Sequence, residues 1–317
     1  MTRVLLAATV FLAASPGRAE LTIVEERLAV DGLFWAGAEW RSEQTSGYSS
    51  TDHEFTGRKA LLGITGQLTP VAALRFYYDF ANLAPYDLYA DFSWPSGFGL
   101  RAGQFIPPSA TEALTELSRL KFINYSLVST FWKPVPPRDV GVQIGYRSRL
   151  LALTAAVLNG NGTDPLVPDP NNWKDVAGRL VLKPTSDESV FVALCGYYGK
   201  TGEEMRVFWN GGIETFYEKA GLHVSGAVHH VWWARPRNSF YVQAAYQLGL
   251  IEPAGRLSMA FHTNDRFEIE VTGGLNFRVA DDRVKVLTSY DYWRKAADDY
   301  ELRRTVVRCQ ARLQFSF

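Results

Sequence analysis

Val306-Val307-Arg308-Cys309-Gln310-Ala311-Arg312-Leu313-Gln314-Phe315-Ser316-Phe317 divides into two faces. Val307, Cys309, Ala311, Leu313, Phe315 and Phe317 fall on one, and Arg308, Gln310, Arg312, Gln314 and Ser316 on the other. Successive side chains of an extended chain point to opposite sides, so a period of two predicts a strand with one apolar and one polar face.

The pattern recurs upstream. In Arg266–Val279, Phe267, Ile269, Val271, Leu275, Phe277 and Val279 oppose Arg266, Glu268, Glu270, Thr272, Asn276 and Arg278. In 74–80, Leu74, Phe76, Tyr78 and Phe80 oppose Arg75, Tyr77 and Asp79; in 140–146, Val140, Val142, Ile144 and Tyr146 oppose Gly141, Gln143 and Gly145. A soluble sandwich alternates too, but buries its apolar face on a second sheet. Here the polar faces carry charged and small residues, and the apolar faces carry aromatics near their ends. That distribution predicts an all-β fold, a transmembrane antiparallel β-barrel with lipid outside and water within.

Turns placed at Gly, Pro, Asn and Asp clusters divide the chain into sixteen strands, near 26–43, 53–68, 71–83, 86–94, 97–106, 137–147, 149–160, 173–184, 187–200, 203–217, 220–234, 238–249, 254–263, 266–279, 283–295 and 300–317. Fourteen remain open if 86–106 pairs differently. One set of connections is tight: Thr69-Pro70, Trp94–Gly97, Ser148, Pro184–Asp187, Glu218-Lys219 and Ala280–Asp282. The other is variable and includes Gln44–Asp52, Pro107–Pro137 and Gly160–Asn172. An even count with short turns opposite longer loops places both ends in the periplasm.

At the N-terminus Arg3 precedes the apolar run Val4–Ala14 and the small-residue pattern Pro16-Gly17-Arg18-Ala19. This is the order of a secretory signal peptide over 1–19, with the barrel in 20–317. The run is shorter than the roughly 20 residues a membrane helix needs. Without Arg3 and Arg18 the 33 basic residues become 31 against 33 acidic ones. That balance argues against nucleic acid as a partner, since phosphate contacts need surplus Lys and Arg. No later stretch is apolar enough for a membrane helix, so membrane entry requires a closed barrel in the bacterial outer membrane. Cys195 and Cys309, in well-separated strands, read as small lipid-facing hydrophobes more than as a disulfide.

The chain resembles the phosphate-selective porin O/P family of sixteen-stranded outer-membrane channels. The resemblance rests on Leu68-Thr69-Pro70, Arg75 with Asp79-Phe80-Ala81, Gly103-Gln104-Phe105 with Pro107, Leu120–Ile123, Arg138–Val142 and Leu158–Gly162, in that order. It implies that Pro107–Pro137 is the third outer loop, folded into the lumen as a constriction, and that the protein is a homotrimer. Phe317 resembles the final aromatic that the barrel-insertion machinery reads. The family usually follows Gly-Gln-Phe with a basic residue and Pro-Phe-Gly; Ile106-Pro107-Pro108-Ser109 stands here instead. The residues support the loop placement independently. Leu114, Leu117, Leu120, Phe122, Ile123, Tyr125, Leu127 and Phe131 make it too apolar for a disordered loop, and Ala113–Leu120 reads as a short helix.

Channels select by width and by rings of charge. The pore-lining candidates are Arg75, Arg101, Arg179, Lys183, Arg278, Lys285, Arg308 and Arg312, with Arg119 and Lys121 from the loop; Asp79, Glu268, Glu270 and Asp291 share the interior. Singly, each basic residue is expected to pair across strands; together they lean towards anions. Trp232, Trp233, Tyr290, Tyr292, Phe315 and Phe317 suit interfacial girdles. His229 and His230 are adjacent, so in a strand they point apart and cannot chelate one ion together. No Gly-x-Ser-x-Gly elbow, phosphate-cradling loop or Cys/His metal spacing is present, so no catalytic residue, metal or cofactor is expected. The expected function is passive diffusion of small hydrophilic solutes, anions such as phosphate among them. The alternatives are a closed structural or adhesin-like barrel and a membrane-embedded hydrolase.

Overall fold

The structure, a computed structural model, describes residues 21–23, 27–45, 47–130, 137–160, 173–201, 206–232, 236–262, 266–280, 283–296 and 303–317. The expected signal peptide, Phe131, Trp233 and most of the 160–172 connection lie outside the described residues.

Among the described residues, sixteen antiparallel strands close into a barrel. They are β2 (Leu28–Thr45), β3 (Tyr48–Thr69), β4 (Ala72–Asp79), β5 (Ala84–Ser93), β6 (Phe98–Phe105), β7 (Asp139–Arg147), β8 (Leu151–Leu158) and β9 (Asp175–Leu182), followed by β10 (Val190–Thr201), β11 (Arg206–Lys219), β12 (Leu222–Trp232), β13 (Arg237–Tyr246), β14 (Ile251–His262), β15 (Arg266–Ala280), β16 (Val284–Ala296) and β17 (Arg304–Ser316). A short β1 (Leu21–Ile23) adds to the start of β2. Each strand pairs with the next, and β17 returns to β2 in the register Phe315↔Phe34 and Leu313↔Ala36. Reciprocal backbone bonds seal the seam, Gly32 N to Phe317 O at 2.9 Å and Phe317 N to Gly32 O at 3.1 Å. Closure matters because an open edge in hydrocarbon leaves N–H and C=O groups unsatisfied.

The wall is inverted relative to a soluble protein. Ile144 is 61 % exposed, whereas Arg256 is 3 % exposed. Along β12, His223, Ser225, Ala227, His229 and Val231 are buried, while Val228 and Trp232, on the alternate positions, are exposed on the outer face. Tyr290, Phe315 and Phe317 also lie exposed on that outer face.

Local geometry moves several expected boundaries. Gln44–Asp52 is not a loop: β2 runs to Thr45 and β3 begins at Tyr48, paired from Thr45↔Tyr48 downwards. Ser49, Ser50 and Thr51 imitate loop composition but pair in the ladder with Gln44, Glu43 and Ser42. The Glu218-Lys219 turn lies two residues later, at Ala220 (φ 53°) and Gly221 (φ 80°). Two consecutive left-handed residues match the twist of a tight hairpin.

The strands are unequal. The first β3–β4 pairing is Leu61↔Asp79, and the Phe80 amide then bonds the Ala60 carbonyl. Among the described residues, 48–59 of β3 has β2 as its only strand neighbour.

Candidate functional site

Between β6 and β7 the chain leaves the wall, and the described residues 106–130 fold back inside. Near the end of β6, Gly103 takes φ +128°, and an added Cβ there would collide with the Leu88 carbonyl. Gln104 is 1 % exposed, and its amide donates to the carbonyls of Pro85 (3.0 Å) and Tyr86 (3.2 Å). Phe105, Ala110 and Val128 then pack on Ala156, Leu158, Ala177, Cys195, Tyr197, Ala227 and Tyr241 of the inner wall. Full burial of a large apolar side chain is worth about 1.5–3 kcal/mol, which favours the folded-in position. Leu33, Trp35 and Leu61 pack with Leu117 in a second contact.

The expected helix over Ala113–Leu120 is replaced by α1 (Thr111–Leu114), a 3₁₀ turn (Leu117–Arg119) and, further on, α2 (Leu127–Thr130). Thr115 and Glu116 are extended, with ψ 132° and 135°. Single turns lack the length to hold themselves, so contacts with the wall set their limits.

Polar tethers run around the wall. Glu214 on β11 accepts from the Thr111 amide at 2.9 Å and from the Thr111 hydroxyl, and Arg179 donates to the same carboxylate at 2.7 Å. Arg256 on β14 binds Glu112 (3.2 Å), the Asn124 carbonyl (2.9 Å) and Glu270 (3.0 Å). Glu112 accepts from the Ser126 amide (3.0 Å) and the Ser129 hydroxyl (2.6 Å), closing the loop on itself. Asn124 donates to Asp291 (3.1 Å) and Gln310 (2.5 Å).

The ten basic candidates occupy four settings. Lys121, Arg179, Lys285 and Arg312 tie the loop to the wall. Lys121 reaches Glu252 (2.8 Å), Lys285 the Ser118 carbonyl (2.7 Å) and Arg312 the Ile123 carbonyl (3.3 Å). Arg119 pairs with Glu218 at 3.2 Å, with both side chains over a third exposed. Arg75 bonds Asp31 (2.7 Å), Arg101 bonds Asp91 (3.0 Å), Arg278 bonds Gln247, and Arg308 lies 3.5 Å from Glu270. Lys183 stands at a rim turn, where its hydrogen bond to Glu188 (2.7 Å) holds that carboxyl below its ordinary range. In the loop, burial pushes the Tyr125 phenol up.

Sequence reasoning did not single out Arg256, Glu112, Glu214, Asn124 or Arg138. Arg138 is 7 % exposed, stacks 3.3 Å from the Tyr86 ring and bonds Asp87 at 2.7 Å. For Arg256 a signal existed: Glu252, Ala254, Arg256, Ser258 and Ala260 alternate with apolar Leu257, Met259 and Phe261.

The adjacent histidines diverge as their spacing requires. His229 points inward at 1 % exposure, and His230 points outward beside the Trp209 ring. Cys195 corrects an expectation: it faces the interior at 8 % exposure, paired with Arg179, and only Cys309 lies on the outer face. Val190–Cys195 is apolar at every position, so period two carries no phase there; the inward Arg179 across the ladder sets it.

Comparisons with known proteins agree with this architecture. The family Phosphate-selective porin O and P matches residues 30–187. No curated protein matches. The anion-selective porin from Comamonas acidovorans superposes with a TM-score of 0.65 at 12% identity, covering 92% of this chain and 99% of that one. The outer membrane channel DcaP of Acinetobacter baumannii gives 0.66 at 10% identity over 92% and 97%. OmpT of Vibrio cholerae, in a trimer form, gives 0.60 at 10% identity over 92% and 100%.

Proposed function

From the premise that the chain belongs to the phosphate-selective porin O and P family of outer-membrane porins, we propose that it passes small anions by diffusion, as a homotrimer, through a lumen narrowed by residues 106–130 of the loop between β6 and β7. The carrying observation is the set of tethers from Thr111 to Arg312, which holds that loop against β11–β17. A loop bound to the wall at points from Thr111 to Tyr125 stays in the conduction path and sets the width there.

Anion preference is supported by the family, by the selectivity named for the Comamonas acidovorans porin, and by basic residues around the loop. Lys285, Arg308 and Arg312 lie on the wall, and Arg119 and Lys121 on the loop itself. Cations on low-dielectric walls raise the local concentration of anions. The trimer is supported by the trimer form of the Vibrio cholerae protein. Residues 1–19 serve as the signal peptide, and Phe317 serves as the aromatic read during barrel insertion.

The test is conductance of purified, folded protein in planar bilayers. Stepwise currents are expected, in triplets if the trimer holds, with a reversal potential in a KCl gradient that favours chloride. Folded protein that yields no current steps refutes diffusion; a reversal potential favouring potassium refutes anion preference.

A further inference from the structure

Cys195, Glu214 and His229 stand on the neighbouring strands β10, β11 and β12, all inward and all buried. Their ligand atoms lie within 4.8 Å of one another. The ladder explains the convergence. Cys195 pairs with Gly212, and Gly212 pairs with His229, so Cys195 and His229 flank Gly212 in one row across the wall, and Glu214 stands two residues along β11 beside that row. A Cβ at Gly212 would lie 2.5–2.6 Å from the His229 ring. The glycine is therefore what lets the imidazole lie over β11 and bring Nε2 to 3.1 Å from the Glu214 carboxylate. The Cys195 sulfur turns to the same spot, 3.8 Å from the Gly212 carbonyl.

We propose that this row is a binding site for one soft monovalent cation of the Cu(I) type, held by the Cys195 sulfur and His229 Nε2 with Glu214 as a third donor. Donor softness and charge select the ion. Thiolate and imidazole suit soft cations, and the carboxylate is already neutralised by Arg179 at 2.7 Å. A monovalent cation replaces the single thiol proton, which leaves for solvent, while His229 takes its other neutral tautomer with the proton on Nδ1. The buried charge is then unchanged. A divalent ion at the same place would add an uncompensated positive charge beside Arg179, which burial penalises strongly. Cys195 packs in one cluster with Ala110 and Val128 of the loop, and Glu214 also tethers Thr111, but the metal content of folded protein is read without any transport measurement.

Silver(I), which needs no reductant, is the probe. In a Cys309→Ser background the folded protein in detergent is dialysed against Ag⁺ and its metal content measured. One ion per chain is expected, falling to none in Cys195→Ser with Cys309→Ser. His229→Gln in the same background should weaken binding by about tenfold or more. Absence of a bound ion in the Cys309→Ser protein overturns the site. Equal affinity with and without His229 also overturns it, because a lone thiol then accounts for all binding.

Discussion

The Arg256 guanidinium lies 3.2 Å from the Glu112 carboxylate, joining a wall strand to a loop residue 144 positions earlier. Its side chain has no exposed surface and that of Glu112 only 5 %, so without Arg256 both Glu112 and Glu270 lose a buried partner. Truncating one partner of a buried pair costs about 3–5 kcal/mol. Arg256→Ala should therefore lower the thermal unfolding midpoint in detergent and give noisier single-channel currents. Unchanged noise together with unchanged stability would show that the other tethers suffice.

Gly103→Ala meets two obstacles at once: a backbone angle of +128° and the Leu88 carbonyl in the way of any Cβ. Left-handed strain and overpacking each cost about 1–3 kcal/mol. The variant should refold in lower yield and unfold at a lower temperature than wild type, followed by heat-dependent gel mobility. Wild-type behaviour would mean that the β6 backbone relaxes to accept a Cβ beside Leu88.

Phe317 joins the seam through main-chain bonds to Gly32, while its ring lies over that glycine. Phe317→Ala keeps the bonds and removes the ring. Refolding in detergent should survive with a loss of about 1–2 kcal/mol, whereas accumulation in the outer membrane of cells should fall sharply. Equal losses in both settings would make the ring a requirement of the seam, not of the insertion machinery.

Among the described residues of the loop, Arg119 is the cation most open to solvent, 48 % exposed. Arg119→Glu sets like charges beside Glu218 and reverses the local field. A unit charge at about 4 Å in a water-like lumen is worth about 1 kcal/mol, so the chloride-to-potassium permeability ratio should drop several-fold, read from the reversal potential. An unmoved potential would place the selective point elsewhere along the lumen.

Alternation made the wall legible in sequence wherever one face was charged, as in 266–279 and 306–317. It failed at Val190–Cys195, where both faces are apolar and the phase comes from Arg179 on the neighbouring strand. The inward loop was legible from its Leu and Phe content, since burying those side chains needs a wall. The anchors were not. Glu112 and Arg256 obey no shared period, and Glu214 and Thr111 are 103 positions apart. Gln44–Asp52 was misread because an exposed strand and a loop share the same polar residues, and only the ladder distinguishes them.

The unequal heights of β3 and β4 locate the protein against its lipid. Above Ala60, the flank of β3 turned towards β4 meets, among the described residues, no adjoining strand. Amide and carbonyl groups along 48–59 must be solvated there, and hydrocarbon offers them nothing. The oily layer on that side of the cylinder accordingly stops near Ala60 and Asp79, and Tyr48 and Phe55 stand in the aqueous or headgroup zone beyond it.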